Sequence, residues 1–374
     1  MIDENIIPNA QLAERLRSRI RAEGPITFRD WMDAALYDET EGYYCRSDRT
    51  RWGRAGDYRT SPERTPLFSA TFARYFAKLY EQLGAPSKWT ILEAGAGGGH
   101  FARGLLTTLK NQYPQVFAVT RYLIDEKSSS LRSRLRESIQ PFEEKVELVS
   151  LDELQTPIKV GIIFSNELFD AMPVHRVVMR DGKLKEVCVT LDDGEEFIWI
   201  ETEPTSPRIC DYFHTLDVTL SEGQFAEVNL AAGDWLRNAA AKLERGYVLT
   251  VDYGAESNEL YDFHQRPDGT LRAFQRHRFA DTVLSQPGMQ DITTTINWTH
   301  IKQEAIKCGL ENVRFERQDR FLIEEGVLDQ LAEMTGEGSR NAEAILLRTE
   351  ARELVLPSGM SASFQVLLSK RNLL

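Results

Sequence analysis

Nowhere in the 374 residues does an apolar run approach the roughly 20 needed to cross a bilayer, so no membrane insertion is expected. The opening, MIDENIIPNA, lacks the basic start of a secretory signal and the arginines of a transit peptide, and the expected location is cytoplasmic. Cysteine is scarce. Cys45, Cys188, Cys210 and Cys308 stand far apart, with no C-x-x-C pair and no histidine at ligand spacing, which speaks against a disulfide framework and a structural zinc. Basic residues are outnumbered: 45 Lys and Arg against 57 Asp and Glu leave a net charge of −12, which argues against nucleic acid and makes a basic peptide the more natural partner. The 42% of apolar residues suffices for one large domain with insertions or two modest ones.

What the chain does have is a glycine loop. In WTILEAGAGGGH, Trp89 to His100, a short apolar run ends in Glu93, and Gly95, Gly97 and Gly99 follow at alternate positions. Phe101, Leu105, Leu106 and Leu109 then recur at helical spacing, so the order is strand, loop, helix. Glycines at such a place let backbone N–H groups approach a ligand at a helix N-terminus. A dinucleotide fingerprint requires glycine at the sixth position, where this chain has His100. G-x-G-x-G preceded by an acid instead resembles motif I of the class I methyltransferases, which bind S-adenosylmethionine (SAM).

The surrounding pattern alternates strands near 90–94, 120–126, 146–150 and 160–166 with helices near 100–112 and 128–139, the signature of a parallel sheet covered by helices. Ligands in such sheets sit at the carboxyl ends of the strands. That singles out Glu93 to Gly99; Glu126, with Asp125 as competitor, for the ribose hydroxyls; Leu151; and Asn166, Glu167 and Asp170. If Glu167 opens a helical turn, Asp170 lies on the same face, and two carboxylates point into the cleft. Upstream, Asp57, Thr60, Ser61 and Glu63 in a polar, ordered loop are further ligand candidates.

Residues 1–84 read as a helical segment plus that loop, and 85–374 as the ligand-binding domain. Insertions are expected at about 177–224, built of β-hairpins around Asp181-Gly182 and Asp192-Asp193-Gly194, and at about 256–298, a candidate lid without clear periodicity. Helices near 299–308 and 340–353 and strands near 312–318 and 363–370, the latter an antiparallel pair, close the sheet.

Taken together, Gly56-Asp57-Tyr58, Thr60-Ser61-Pro62-Glu63, the loop, Asn166-Glu167 with Asp170-Ala171-Met172-Pro173, Asp252-Tyr253-Gly254, Gly269-Thr270-Leu271-Arg272 and Asp291-Ile292-Thr293 resemble the MidA family. These are SAM-dependent methyltransferases related to a mitochondrial complex I assembly methyltransferase. The resemblance implies a Rossmann-like α/β sheet, mostly parallel with an antiparallel C-terminal strand. It also implies SAM as cofactor and methyl transfer to a protein arginine, with a respiratory complex I subunit as candidate substrate; a homodimer is one of the assemblies that the sequence leaves open. The expected cofactor contacts are Glu93, Gly95, Gly97, Gly99, Glu126, Thr60, Ser61, Glu63, Leu151 and Asn166. Glu167, Asp170 and Asp57 are the expected catalytic residues, and no metal is expected. The chain departs from the family pattern at Ala96, Gly98, Gly104 and Thr295. A methyltransferase for small molecules and a noncatalytic assembly factor are the alternatives.

Overall fold

The computed structural model describes residues 10–46, 61–275, 278–279, 282–336, 341–356 and 360–372. They divide into two compact units, one formed by 1–50, 169–235 and 254–301, the other by 51–168, 236–253 and 302–374.

The second unit is organised by one sheet. Its strands in chain order are β1 (Trp89–Ala94), β2 (Thr120–Asp125), β3 (Val146–Val149), β4 (Ile158–Asn166), β5 (Leu243–Ala255), β6 (Glu311–Arg317) and β7 (Phe364–Asn372), with β5 passing into the first unit at its last two residues. Across the sheet they run 3-2-1-4-5-7-6, and only β7 is antiparallel to its neighbours. The expected parallel sheet with an antiparallel closing pair is therefore present.

Its elements start where local chemistry dictates. Thr65 caps the helix Pro66–Gln82 by accepting the Leu67 N–H at 3.4 Å, with proline in the first turn where no N–H is needed. Ser128 caps Ser129–Ile139 through the Leu131 N–H at 3.2 Å. One face of the sheet is sealed by aromatics. Phe101 of the helix His100–Gln112 stacks on Phe164 of β4 at 4.3 Å, with Phe72 and Phe76 of Pro66–Gln82 packed edge-on or tilted around them.

In the first unit the hairpin insertion contributes most of a five-stranded sheet, which Phe225–Val228 and the N-terminal Ile26–Thr27 complete. His175–Arg180 and Lys183–Leu191 pair antiparallel through a turn in which both Asp181 (φ 50°) and Gly182 (φ 70°) are left-handed, the type I′ geometry that an Asp-Gly pair favours. Phe197–Thr202 extends it on one edge, and the N-terminal Ile26–Thr27 joins Lys183–Leu191 as well. The insertion also contains a helix, Pro207–Thr215, that the hairpin reading missed although Ser206 and Pro207 announce it as cap and first-turn proline. The segment expected to be an aperiodic lid holds Arg272–Gln275 and Asp291–Thr293 in an antiparallel pair. These strands are too short for alternation to register in sequence. No helix among the described residues is long and apolar enough to cross a membrane.

One departure from the family pattern has a packing reason. A Cβ on Gly104 would lie 2.7 Å from the Ser69 Cβ, so the backbone of the helix His100–Gln112 packs there directly on the Ser69 side chain of Pro66–Gln82. Gly104→Val should destabilise the chain by about 1 to 3 kcal/mol, since overpacking against an atom fixed to the main chain outweighs any helical gain from replacing glycine. Urea unfolding measures it, and an unchanged midpoint would show that the helices separate at no cost.

Candidate active site

The glycine loop leaves β1 with Gly95, Gly97 and Gly99 all left-handed, at φ 71°, 54° and 78°. At two of the three, a side chain would also have to displace the tip of a neighbouring leucine. A Cβ on Gly95 would fall 2.9 Å from Leu168 Cδ1, and one on Gly99 would fall 2.5 Å from Leu135 Cδ1. The loop is anchored at both ends, because the Gly95 N–H donates to the Asp125 carbonyl at 2.8 Å and the Gly97 N–H to Glu126 Oε2 at 2.9 Å.

Glu126 follows β2 directly and is buried. Its other oxygen, Oε1, accepts the Ser128 N–H at 2.9 Å. A carboxylate offers about four acceptor positions, so with one backbone donor on each oxygen it retains capacity for two hydroxyls. Burial pushes its pKa up to about 6, against the pull of those two N–H groups. Asp125 is likewise raised to about 6 by burial, opposed by a hydrogen bond from the Leu151 backbone. Leu151 itself is buried beyond β3, at the carboxyl edge where it was expected.

Glu93 behaves differently from its neighbours. It faces the core, accepts the Tyr122 hydroxyl at 2.7 Å on Oε2, and is raised to about 8 by burial, with Glu126 adding to the rise. Tyr122, which nothing in the sequence pattern marks, is thus part of the loop's foundation. Ser61 and Glu63 lie in a short helix, Ser61–Arg64, and Glu63 Oε1 is 3.9 Å from His100 Nε2, at the end of the glycine loop. Burial and Arg103 lower the His100 pKa, so this contact is not an ion pair at neutral pH. Asp57 and Thr60 lie outside the described residues.

β1 and β4 are parallel neighbours, with Ala94 opposite Ser165. The loop and the segment Asn166-Glu167 therefore leave the sheet side by side. Asn166 Nδ2 donates to Glu167 Oε1 at 3.1 Å, and the Glu167 N–H continues the sheet by donating to the Val251 carbonyl at 2.9 Å. Glu167 then turns the chain with φ 51°, so the expected helical turn from Glu167 to Asp170 does not form. Val251 holds the residue in the sheet, a left-handed backbone cannot start a right-handed turn, and Pro173 disfavours helix just ahead. Asp170 lies beyond, in the first unit. It is buried in a turn closed by Met172 N–H to Phe169 carbonyl at 3.2 Å. Among the described residues no cluster of His, Cys, Asp or Glu is suited to a metal.

The sequence profile of a family of S-adenosyl-L-methionine-dependent methyltransferases matches residues 71–315. The chain belongs to this family. A superfamily member from Burkholderia thailandensis, crystallised with S-adenosyl-homocysteine, superposes with a TM-score of 0.85 at 30% identity over 96% of this chain and 92% of that one. Among curated relatives, the Drosophila melanogaster protein named protein arginine methyltransferase NDUFAF7 homolog, mitochondrial, is 27% identical over 80% of this chain and 71% of its own. The Homo sapiens protein arginine methyltransferase NDUFAF7, mitochondrial, is 24% identical over 80% and 69%. These names overturn the cytoplasmic location inferred from the opening residues. That inference rested on the composition of ten residues, whereas the similarity spans most of the chain.

SAM is the cofactor of this methyltransferase family, and the loop suits it: three turned glycines, and beside them a buried acid with acceptor capacity left for hydroxyls. Replacing Glu126 by Gln should weaken SAM binding by about 1.5 to 3 kcal/mol, because one charged acceptor becomes a donor that opposes an N–H. Titration calorimetry reads this, and an unaltered affinity would remove Glu126 from the site.

Glu93 gives a pH signature. Its pKa in the folded chain, about 8, lies above the ordinary 4.5, so its contribution to stability is complete below pH 4.5, declines above it and is gone once pH passes 8. Glu93→Gln keeps an acceptor for Tyr122 and removes the titration. The melting temperature of the variant minus that of the parent should therefore grow from pH 5 to pH 8 and level off above, reflecting on the order of a few kcal/mol. A flat difference would mean that Glu93 is ionised in the fold.

Proposed function

We propose that this methyltransferase methylates an arginine side chain of a protein, and that Glu167 and Asp170 bind the guanidinium. The observation that carries this is the pairing of β1 with β4, which delivers Glu167 to the carboxyl edge of the sheet beside the glycine loop. A non-glycine residue held at φ 51° costs on the order of 1 kcal/mol or more, and such strain tends to be retained where a side chain must be aimed. Asn166, donating to Oε1, steadies the carboxylate.

SAM supplies an electrophilic methyl group, and its transfer forms an N–C bond as the sulfur–carbon bond breaks. The chain's part is alignment: nucleophile and methyl carbon must meet roughly 3 Å apart and in line. Arginine is cationic at any working pH and presents its donors as a planar fork, which carboxylates match with paired hydrogen bonds. The extra proton on the methylated nitrogen passes to a carboxylate or to water. The names of the Drosophila and human relatives support arginine as acceptor. The family resemblance supports a subunit of respiratory complex I as the protein that carries it.

Glu167→Gln and Asp170→Asn should each leave SAM affinity nearly unchanged and lower methyl transfer strongly, since an amide sets two donors against a donor fork. The assay is tritium transfer from labelled SAM into protein of an extract from a deletion strain, with hydrolysis to identify methylarginine. Label in small solutes instead of protein would favour a small-molecule acceptor. Equal loss of SAM binding in both variants would place these acids in the cofactor site.

A further inference from the structure

Phe169, Asp170 and Ala171 lie outside helix and strand. Even so, each of their three consecutive carbonyl oxygens accepts a hydrogen bond from a different part of the chain. Asn229 Nδ2 donates to the Phe169 carbonyl at 2.8 Å, the Thr294 N–H to that of Asp170 at 3.0 Å, and the Tyr37 hydroxyl to that of Ala171 at 3.0 Å. All belong to the first unit.

The donors are themselves fixed. Asn229 Oδ1 accepts the Ala232 N–H at 2.9 Å and so caps the helix Leu230–Ala241. Thr295, next to Thr294, donates its N–H to Thr270 Oγ1 at 3.1 Å. The Thr270 N–H and hydroxyl both donate to the buried Glu227 Oε2, at 2.6 and 3.0 Å. A Cβ on Gly269 would lie 2.5 Å from Glu227 Oε1, so glycine there gives this carboxylate its place. Tyr37 stacks on Tyr44 at 5.5 Å, and the Tyr44 hydroxyl donates to Asp291 Oδ1 at 2.7 Å. Two sequence motifs without an assigned task, Gly269 to Arg272 and Asp291 to Thr293, thus converge on the support of one short segment.

A turn of this length needs only one internal hydrogen bond to close, and here Met172 provides it. Three further donors on successive carbonyls remove the remaining backbone freedom beneath a single side chain, Asp170. In a displacement that depends on alignment, a misplacement of about 1 Å costs on the order of a hundredfold in rate.

We propose that Tyr37, Asn229 and Thr294 are positioning residues that hold the backbone under Asp170 so that its carboxylate meets the methyl acceptor in one orientation. This rests on the reading of Asp170 as an acceptor-binding group.

The test uses the full chain, tritium transfer at saturating SAM into protein of the deletion-strain extract, SAM affinity by calorimetry, and thermal melting. Tyr37→Phe removes one hydroxyl. Asn229→Asp keeps the oxygen that caps the helix and turns a carboxylate oxygen toward the Phe169 carbonyl. Each should lower transfer about threefold to tenfold, the worth of one hydrogen bond, with SAM affinity within about twofold of the parent. Thr270→Val should lower it similarly, and Thr270→Ser should restore it. The deciding arm is the double-mutant cycle with Asp170→Asn, in which Tyr37→Phe should cost less than about twofold more because no carboxylate is left to position. Parental rates in Tyr37→Phe and Asn229→Asp would overturn the proposal. So would an equal fold-loss with and without Asp170, which would mark a purely structural role. If Asn229→Asp melts, Tyr37→Phe carries the cycle alone. Parental transfer in Asp170→Asn by itself would refute the acceptor role, and this inference with it, and that single variant tells the two failures apart.

Discussion

The hydrogen bond from the Gly97 N–H to the buried Glu126 carboxylate is the constraint on which the glycine loop depends. It joins the loop after β1 to the turn after β2, and through the Ser128 N–H the same carboxylate sets the start of the next helix. Three alternate left-handed residues, a conformation glycine adopts without the strain other residues carry, let the loop reach that acid. Gly95 lies close to Leu168 and Gly99 to Leu135, so the loop packs against the segment that follows β4 and against the helix that Ser128 caps. The loop, Glu126 and the start of the following helix are thereby parts of one packed arrangement.

Electrostatically this arrangement is costly by itself. Glu93, Asp125 and Glu126 are all raised by burial, and Glu126 and Asp125 each add to a neighbour's rise. Positive charge brought to such a place favours the ionised carboxylates, so ligand affinity and protonation are linked.

Much of this was legible in sequence because backbone geometry restricts residue choice. Gly95, Gly97 and Gly99 announced left-handed turns, Asp181-Gly182 announced a type I′ hairpin, and the alternation of strands and helices announced the sheet. The position of Glu126 directly after β2 was legible too. Side chains that act through another residue were not. Tyr122 reads as any strand aromatic, and Tyr37 and Asn229 read as a helix end and a helix cap, because their partners lie more than a hundred or about sixty positions away. The helical turn expected at Glu167 failed for a related reason: the Val251 carbonyl that holds Glu167 in the sheet is remote in sequence.

The strand order has a consequence for biosynthesis. β7 lies between β5 and β6 and pairs with β5 along nine residues, from Arg245 with Asn372 to Tyr253 with Phe364. A ribosome delivers β5 long before β7. In the interval β5 presents an open apolar edge, and open edges of that kind recruit strands from other nascent chains. The cofactor edge, built from β1 to β4, can form early, while completion of the sheet waits for Phe364–Asn372. The side of the sheet away from β1 to β3 is thus the last to be closed during synthesis.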